Sequence, residues 1–159
     1  WALAITDVNQ FAMPKHMACA LGVELTTQNA PKTMALLTKM APDVSYATNH
    51  PKDIYQRKRP YLIDEGPICV NKDPALAASP DYPSGHATQG WAYALILASL
   101  VPEKATPILA RGRAYGESRI VCGVHWLSDV AAGRLTGTAV FAIGFLGSFF
   151  LPKPPREEH

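Results

Sequence analysis

The chain has 159 residues, a length that sets the expectation of one domain around one hydrophobic core. Apolar residues make up 48 % and charged residues 18 %, which excludes the composition of an intrinsically disordered chain. Fifteen Lys and Arg against thirteen Asp and Glu leave a net charge of +2, too balanced for a generic nucleic-acid binder, so any anion selectivity has to come from a local cluster.

The apolar spacing is mainly helical. Around Ile5, Val8 and Phe11 a helical repeat is interrupted by Pro14. From Asn29 to Ala41, Thr33, Leu36, Leu37 and Met40 recur at i, i+3, i+4 and i+7, with Pro31 suited to a first turn and Pro42 to a stop, which predicts an amphipathic helix. His50 to Gln56 reads as a short helix opened by Pro51, with Pro60 preventing continuation. Tyr61 to Tyr82, with Pro67, Pro74 and Pro80, reads as a long loop of the kind that covers a site or faces a partner. Gly85 to Val101 is apolar nearly all round and belongs at the centre of the fold. Lys104 to Ser118 follows Pro102 as a helix, with Arg111, Tyr115 and Arg119 at i, i+4 and i+8. Trp126 to Phe150 forms the last helix. Its run Leu135 to Leu151 spans about 25 Å as a helix, short of a ~30 Å bilayer core, and reads as a buried helix rather than a membrane span.

These elements predict an all-α fold, a single-domain helical bundle or orthogonal array over residues 1–151, followed by a Pro-rich charged tail at 152–159 that frays. Trp91, Trp126 and Tyr93 lie on apolar helices and read as core. Cys19, Cys69 and Cys122 are widely spaced without a C-x-x-C pair, which points to neither a zinc site nor a dense disulfide framework; Cys122 reads as a buried thiol or a disulfide partner. Trp1 opens the sequence with neither an initiator Met nor a signal-peptide pattern, so a mature or trimmed product is expected.

Three short pieces concentrate the chemistry: Lys52-x6-Arg59-Pro60, Pro83-Ser84-Gly85-His86 and Ser118-Arg119-x5-His125-x3-Asp129. Lys52 and Arg59 are seven residues apart, which on a helix places both cations on one face, two turns apart, in reach of one anion. Arg119 offers a planar fork for paired bonds to a phosphate. Ser84-Gly85-His86 sits where a loop enters the apolar helix. Unpaired N–H groups and the positive helix end favour an anion there, and Gly85 lets the backbone approach it. Taken alone, Ser84 is an ordinary N-cap. His125 and Asp129 are i, i+4 neighbours on a helix, so the carboxylate can hold Nδ1–H and leave Nε2 free as a nucleophile. The plainer alternatives are a solvated basic face shared with Arg57 and Lys58, a surface salt bridge from Arg119 to Glu117 or Glu103, and a helix-surface His–Asp pair.

In this order and spacing the three pieces resemble the signature of the type 2 phosphatidic acid phosphatase superfamily. Their flanks, Asp81-Tyr82-Pro83-Ser84-Gly85-His86 and Ser118-Arg119-Ile120-Val121-Cys122-Gly123-Val124-His125-Trp126, are most similar to the bacterial class A nonspecific acid phosphatases. The similarity covers roughly Asn29 to Gly144. It implies a metal-independent enzyme without a cofactor that hydrolyses phosphate monoesters and transfers the phosphoryl group to other alcohols. Lys52, Arg59, Ser84, Gly85 and Arg119 then bind phosphate, or vanadate and similar oxyanions in its place. By the same resemblance His125 attacks phosphorus to give a phosphohistidine, Asp129 orients it, and His86 protonates the leaving alcohol. Acid operation is expected, because His86 must be protonated while His125 is neutral.

The implied partners are small phosphate esters, with nucleotides bound only as substrates and no membrane span. The implied location is periplasmic or secreted. With one carboxylate and two histidines across the motifs, a transition-metal centre is not expected. The competing readings are a lipid phosphate phosphatase, which needs several ~20-residue apolar spans; a vanadate-dependent haloperoxidase-like oxidoreductase, whose chains are far longer; and a phosphate-binding protein without turnover. Class A members are expected to carry more helical sequence ahead of the Lys-x6-Arg-Pro element than the 51 residues here. An uncovered apolar surface, and with it a homo-oligomer, is the expected consequence.

Overall fold

The central helix forms because its first turn is capped and nearly its whole circumference is apolar: Ser84 Oγ accepts the Ala87 N–H at 3.3 Å, and Ala92, Ala94 and Leu97 are buried behind it. The computed structural model describes residues 1–150, and no strand occurs among them. In chain order the helices are α1 (Ala2–Thr6), α2 (Met13–His16), α3 (Ala18–Leu21), α4 (Pro31–Tyr55), α5 (Pro74–Ala78), α6 (Gly85–Leu100), α7 (Ala105–Val121) and α8 (Leu127–Phe150). Short 3-10 turns lie at Gln10–Ala12, Pro60–Leu62 and Pro102–Lys104. The all-α architecture is as expected; the expected tail at 152–159 lies outside the described residues.

Helices α7 and α8 close on α6 through glycines spaced four apart. A Cβ at Gly116 would meet that of Ala87 at 3.0 Å, and one at Gly137 would lie 2.6 Å from the Thr88 carbonyl oxygen. Gly112 faces Ala94 in the same way. Gly133 brings α8 against the start of α6, where an added Cβ would sit 2.7 Å from the Ser84 carbonyl oxygen. Gly133→Ala is therefore expected to destabilise the fold by roughly 1–3 kcal/mol, although the same change on an open helix face stabilises by about 1 kcal/mol. A urea midpoint that falls shows the close approach, and one that rises refutes it.

Three expectations change. Helix α4 neither stops at Pro42 nor restarts at Pro51 but runs through both. Each proline removes one helical N–H and disfavours the interior. Leu37, Met40, Val44 and Thr48, however, form one continuous buried stripe, and that burial carries the helix across. The stretch Tyr61 to Tyr82 is not all loop: it contains α5, capped by Asp73, whose Oδ1 accepts the Leu76 N–H at 2.8 Å. Third, α8 is not a buried helix. It presents Gly133 and Gly137 to α6 and Val130 to Gly116 of α7, while Leu135 and Ile143 remain 75 % and 72 % exposed. Leu127–Gly147 is long and apolar enough, by length and composition, to cross a membrane.

Among the expected core aromatics, Tyr93 is buried, and its hydroxyl donates to the Leu37 carbonyl at 2.9 Å. Trp91 and Trp126 are only half-buried, because each indole N–H finds its partner at the rim: Trp91 with Thr138 Oγ1 at 2.9 Å, Trp126 with the Lys58 carbonyl at 3.2 Å. Cys69 and Cys122 form a disulfide that ties the Tyr61–Tyr82 stretch to the end of α7.

Candidate active site

His125 lies in the tight turn between α7 and α8, and several local devices set that turn. Cys122 is held by its disulfide, and Gly123 takes φ +78°, a left-handed conformation that favours glycine. A Cβ there would also meet the Pro67 carbonyl oxygen at 2.9 Å. On the far side Asp129 caps the first turn of α8, Oδ2 accepting the Trp126 N–H at 2.7 Å.

His125 Nδ1 faces two carboxylates. Asp81 Oδ1 is in direct contact with it, and Asp129 Oδ2 lies 3.5 Å away. Asp129 is thus not the main holder of the ring that its i, i+4 spacing predicts. Its closest contacts are the Trp126 N–H and Arg57 Nη1, the latter at 2.7 Å. Asp81 takes the adjacent place, brought there by its backbone N–H, which donates to the Arg57 carbonyl at 2.8 Å. All three groups are buried, and Arg59 Nη1 stands 3.6 Å from Asp81.

The two carboxyl groups separate in acidity. Burial pushes Asp81 up to about 6, against the stabilising contact with His125 and with the Asp129 charge adding to the rise. Burial also acts to raise Asp129, but hydrogen bonds from His125, Asp81 and the Trp126 N–H outweigh it and hold Asp129 below the usual carboxylate range.

In front of His125 opens a cavity of about 530 Å³. Lys52, Arg59, Gly85, His86 and His125 all line it, so five of the eight expected site residues meet at one place. The expected geometry of Lys52 and Arg59 is replaced by another. Helix α4 ends at Tyr55, Gln56 turns the chain at φ 45°, and Arg59 follows beyond the helix, so the two cations do not share a helix face. Burial, reinforced by the Arg59 charge, lowers Lys52 to about 8; its ammonium is bonded to the Pro80 carbonyl. Burial likewise draws Arg59 down. The Arg59 Nε donates to the Leu76 and Ser79 carbonyls at 3.1 and 3.0 Å, and Nη1 to Val124 at 3.1 Å.

The other three expected residues, Ser84, Arg119 and Asp129, are buried and do not line the cavity. Ser84 caps α6 through its hydroxyl. The Arg119 fork turns to its own chain: Nε and Nη2 donate to Ser118 Oγ at 3.1 and 3.0 Å, and Nη2 also bonds the Ala4 carbonyl. A buried guanidinium takes the nearest acceptors, and here they are internal.

His86 is held on both ring nitrogens. Nε2 lies 2.9 Å from the Val8 carbonyl oxygen, which can only accept, so Nε2 bears the proton; Nδ1 lies 3.0 Å from the Gln10 amide nitrogen. Burial lowers its pKa to about 3, with the Arg119, His125 and Arg59 charges adding to the effect and the Val8 carbonyl opposing it.

Asp81 is the residue that motif reading overlooked. The signal available was a carboxylate three residues ahead of Ser84, between Pro80 and Pro83; its pairing with His125 is a long-range contact that spacing does not encode. Asp81 also corrects the donor count, since Asp81, His125 and Asp129 offer three ligand atoms within 4.8 Å of one another, a set that could hold a cation. Arg57 and Arg59 already stand against these carboxylates, at 2.7 and 3.6 Å, and balance their charge.

An imidazole backed by carboxylates shares one cavity with two cations in an all-helical fold, an arrangement that can accept an anion. The sequence profile of the PAP2 superfamily matches residues 32–151, and the chain belongs to that family. It is 43 % identical over 146 residues to an acid phosphatase of Zymomonas mobilis, covering 89 % of this chain and 55 % of that protein. A non-specific acid phosphatase of Providencia stuartii is 41 % identical over 77 % of this chain and 50 % of its own length. One from Salmonella typhimurium is 34 % identical over 86 % and 55 %. The chain thus spans about half the length of the curated relatives it matches.

Proposed function

We propose that this chain is the phosphoryl-transfer part of an acid phosphatase that hydrolyses small phosphate monoesters through a phosphohistidine. The observation that carries this reading is His125, with Nδ1 backed by Asp81 and Asp129 and its ring in one cavity with Lys52, Arg59 and His86. The Nε2 lone pair attacks phosphorus, the ester P–O bond breaks, and the leaving oxygen takes its proton from His86. The phosphorylated imidazole is a cation that the carboxylates stabilise. Water then attacks the same phosphorus as His86 takes a proton from it, and the P–N electrons return to Nε2. Lys52 and Arg59 offset the charge on the equatorial oxygens, and Arg119 and the Gly85 N–H add to them on this reading. Neither metal nor cofactor is needed for these steps, so EDTA leaves turnover unchanged.

The acidities favour acid operation. A phosphate ester loses its second proton near pH ~6, and His86, held by Val8 and Gln10, is lowered to about 3. Between these limits the monoanion brings the proton that His86 passes to the leaving group. Lys52, lowered to about 8, is fully charged there. Turnover of p-nitrophenyl phosphate, followed as kcat/KM against pH, is expected to be bell-shaped with its maximum below neutrality. A maximum at or above neutrality, or no turnover by the folded chain, overturns the reading.

One observation favours a second reading, a lipid phosphate phosphatase: the exposed apolar side of α8, with Leu135 and Ile143. Turnover of phosphatidic acid in vesicles that exceeds turnover of soluble esters would select it. The Cys69–Cys122 disulfide supports a periplasmic or secreted location, where such bonds persist.

A further inference from the structure

We infer that the segment Ala4–Gln10 is a gate: it occupies the donors that a phosphate ester needs and must yield for the ester to bind. This rests on the roles of Arg119 and His86 proposed above. Three contacts carry it. The Ala4 carbonyl holds Arg119 Nη2, the Val8 carbonyl holds His86 Nε2 at 2.9 Å, and the Gln10 amide holds His86 Nδ1 at 3.0 Å. One short stretch thus engages the arginine read as a phosphate clamp and both nitrogens of the histidine read as the acid. A neutral carbonyl competes poorly with a phosphoryl oxygen for a guanidinium, because charge-assisted hydrogen bonds are about twice as strong.

The gate has its own latch. Asp7, fully buried between Ala4 and Val8, pairs with Arg111 through Oδ1–Nη2 at 2.5 Å and Oδ2–Nη1 at 3.2 Å. Arg111 Nε donates to the His16 carbonyl at 3.1 Å, and its guanidinium lies over the Tyr115 ring at 5.5 Å. The Tyr115 ring also lies 5.9 Å from the His86 ring, centroid to centroid. Outside the latch, Ile5 and Val8 are exposed, Ala4 packs with Cys122 and Val124, and the Gln10 carbonyl accepts from Gln89 at 3.3 Å. Apart from Ala4 and the latch, polar contacts keep it shut, and those to Arg119 and His86 are ones that a phosphate can replace.

A closed gate lowers apparent affinity by the fraction of molecules that are open. Two experiments test it. In the first, amide hydrogen exchange of the wild-type chain is followed with and without orthophosphate. Ligand binding ordinarily slows exchange; the gate predicts faster exchange at Ile5 and Asp7, whose N–H groups bond Trp1 and Leu3 carbonyls, while the turn around His125 slows. In the second, the latch is removed without leaving a lone buried charge, as Asp7→Asn with Arg111→Met. The inhibition constant of orthophosphate against p-nitrophenyl phosphate is expected to fall roughly three- to tenfold. Exchange at Ile5 and Asp7 that slows or stays constant on phosphate binding overturns the gate, whether or not the double variant folds. A folded double variant whose inhibition constant is unchanged or higher does the same. A wild-type chain that neither turns over the ester nor binds orthophosphate overturns the phosphatase reading, and the gate with it.

Discussion

Replacing His125 with alanine is expected to lower kcat for p-nitrophenyl phosphate by at least about a thousandfold and to abolish a trappable phosphoenzyme. The size of the effect follows from what remains. Lys52, Arg59 and the start of α6 still gather the anion, so the variant keeps an orthophosphate site, but no nitrogen stands behind phosphorus to accept it. Without the ring, Asp81 and Asp129 still face Arg59 and Arg57, so their charges are not left alone. Orthophosphate binding therefore serves as the control for a folded site. Rapid quench into alkaline detergent after mixing with ester radiolabelled at phosphorus gives the decisive readout. Label on the wild-type chain that is acid-labile and base-stable, and absent from the variant, fits phosphohistidine. Equal labelling of both proteins assigns the nucleophile elsewhere.

The parts legible in the sequence were those set by local rules. The nearly all-apolar run and Ser84 cap of α6 announce a central helix, whereas the glycines by which α7 and α8 close on it became visible only in the packing. The length of α4 was not legible, because Pro42 and Pro51 are local punctuation while the stripe Leu37, Met40, Val44 and Thr48 acts through tertiary burial. Lys52 and Arg59 reach one cavity as expected, but for a different reason. The motif carried the proximity, whereas helical spacing predicted a shared face that the left-handed turn at Gln56 removes. Helix α8 misled in the opposite sense: a run that is apolar on every side has no period to say which side is covered. Asp81 illustrates the remaining limit. Its chemistry depends on a partner in another element, and i, i+4 spacing made Asp129 the obvious candidate in its place.

That contrast gives the second large effect. Asp81→Asn is expected to lower kcat about a hundredfold at neutral pH, more than Asp129→Asn does relative to the remaining support of the ring. Asp81 touches Nδ1 directly, whereas Asp129 lies 3.5 Å away and spends its oxygens on Arg57 and the Trp126 N–H. The loss should shrink in acid. The Asp81 carboxyl titrates at about 6; below that value it is already neutral in the wild type, and Asn resembles it, while above it the wild type has a second negative charge that the variant lacks. The ratio of wild-type to variant kcat must therefore rise with pH through that point. Stability moves the other way. A carboxyl raised from 3.8 unfolded to about 6 folded binds its proton more tightly in the native state, so its contribution to stability is full below the unfolded value and declines as pH rises through the folded one. Removing the ionisable group removes that decline, and Asp81→Asn is expected to melt no lower than the wild type at neutral pH. Weaker catalysis in a protein at least as stable identifies a positioning role for Asp81; lower melting with a pH-independent loss of kcat would identify a broken fold and return the Nδ1 partnership to Asp129.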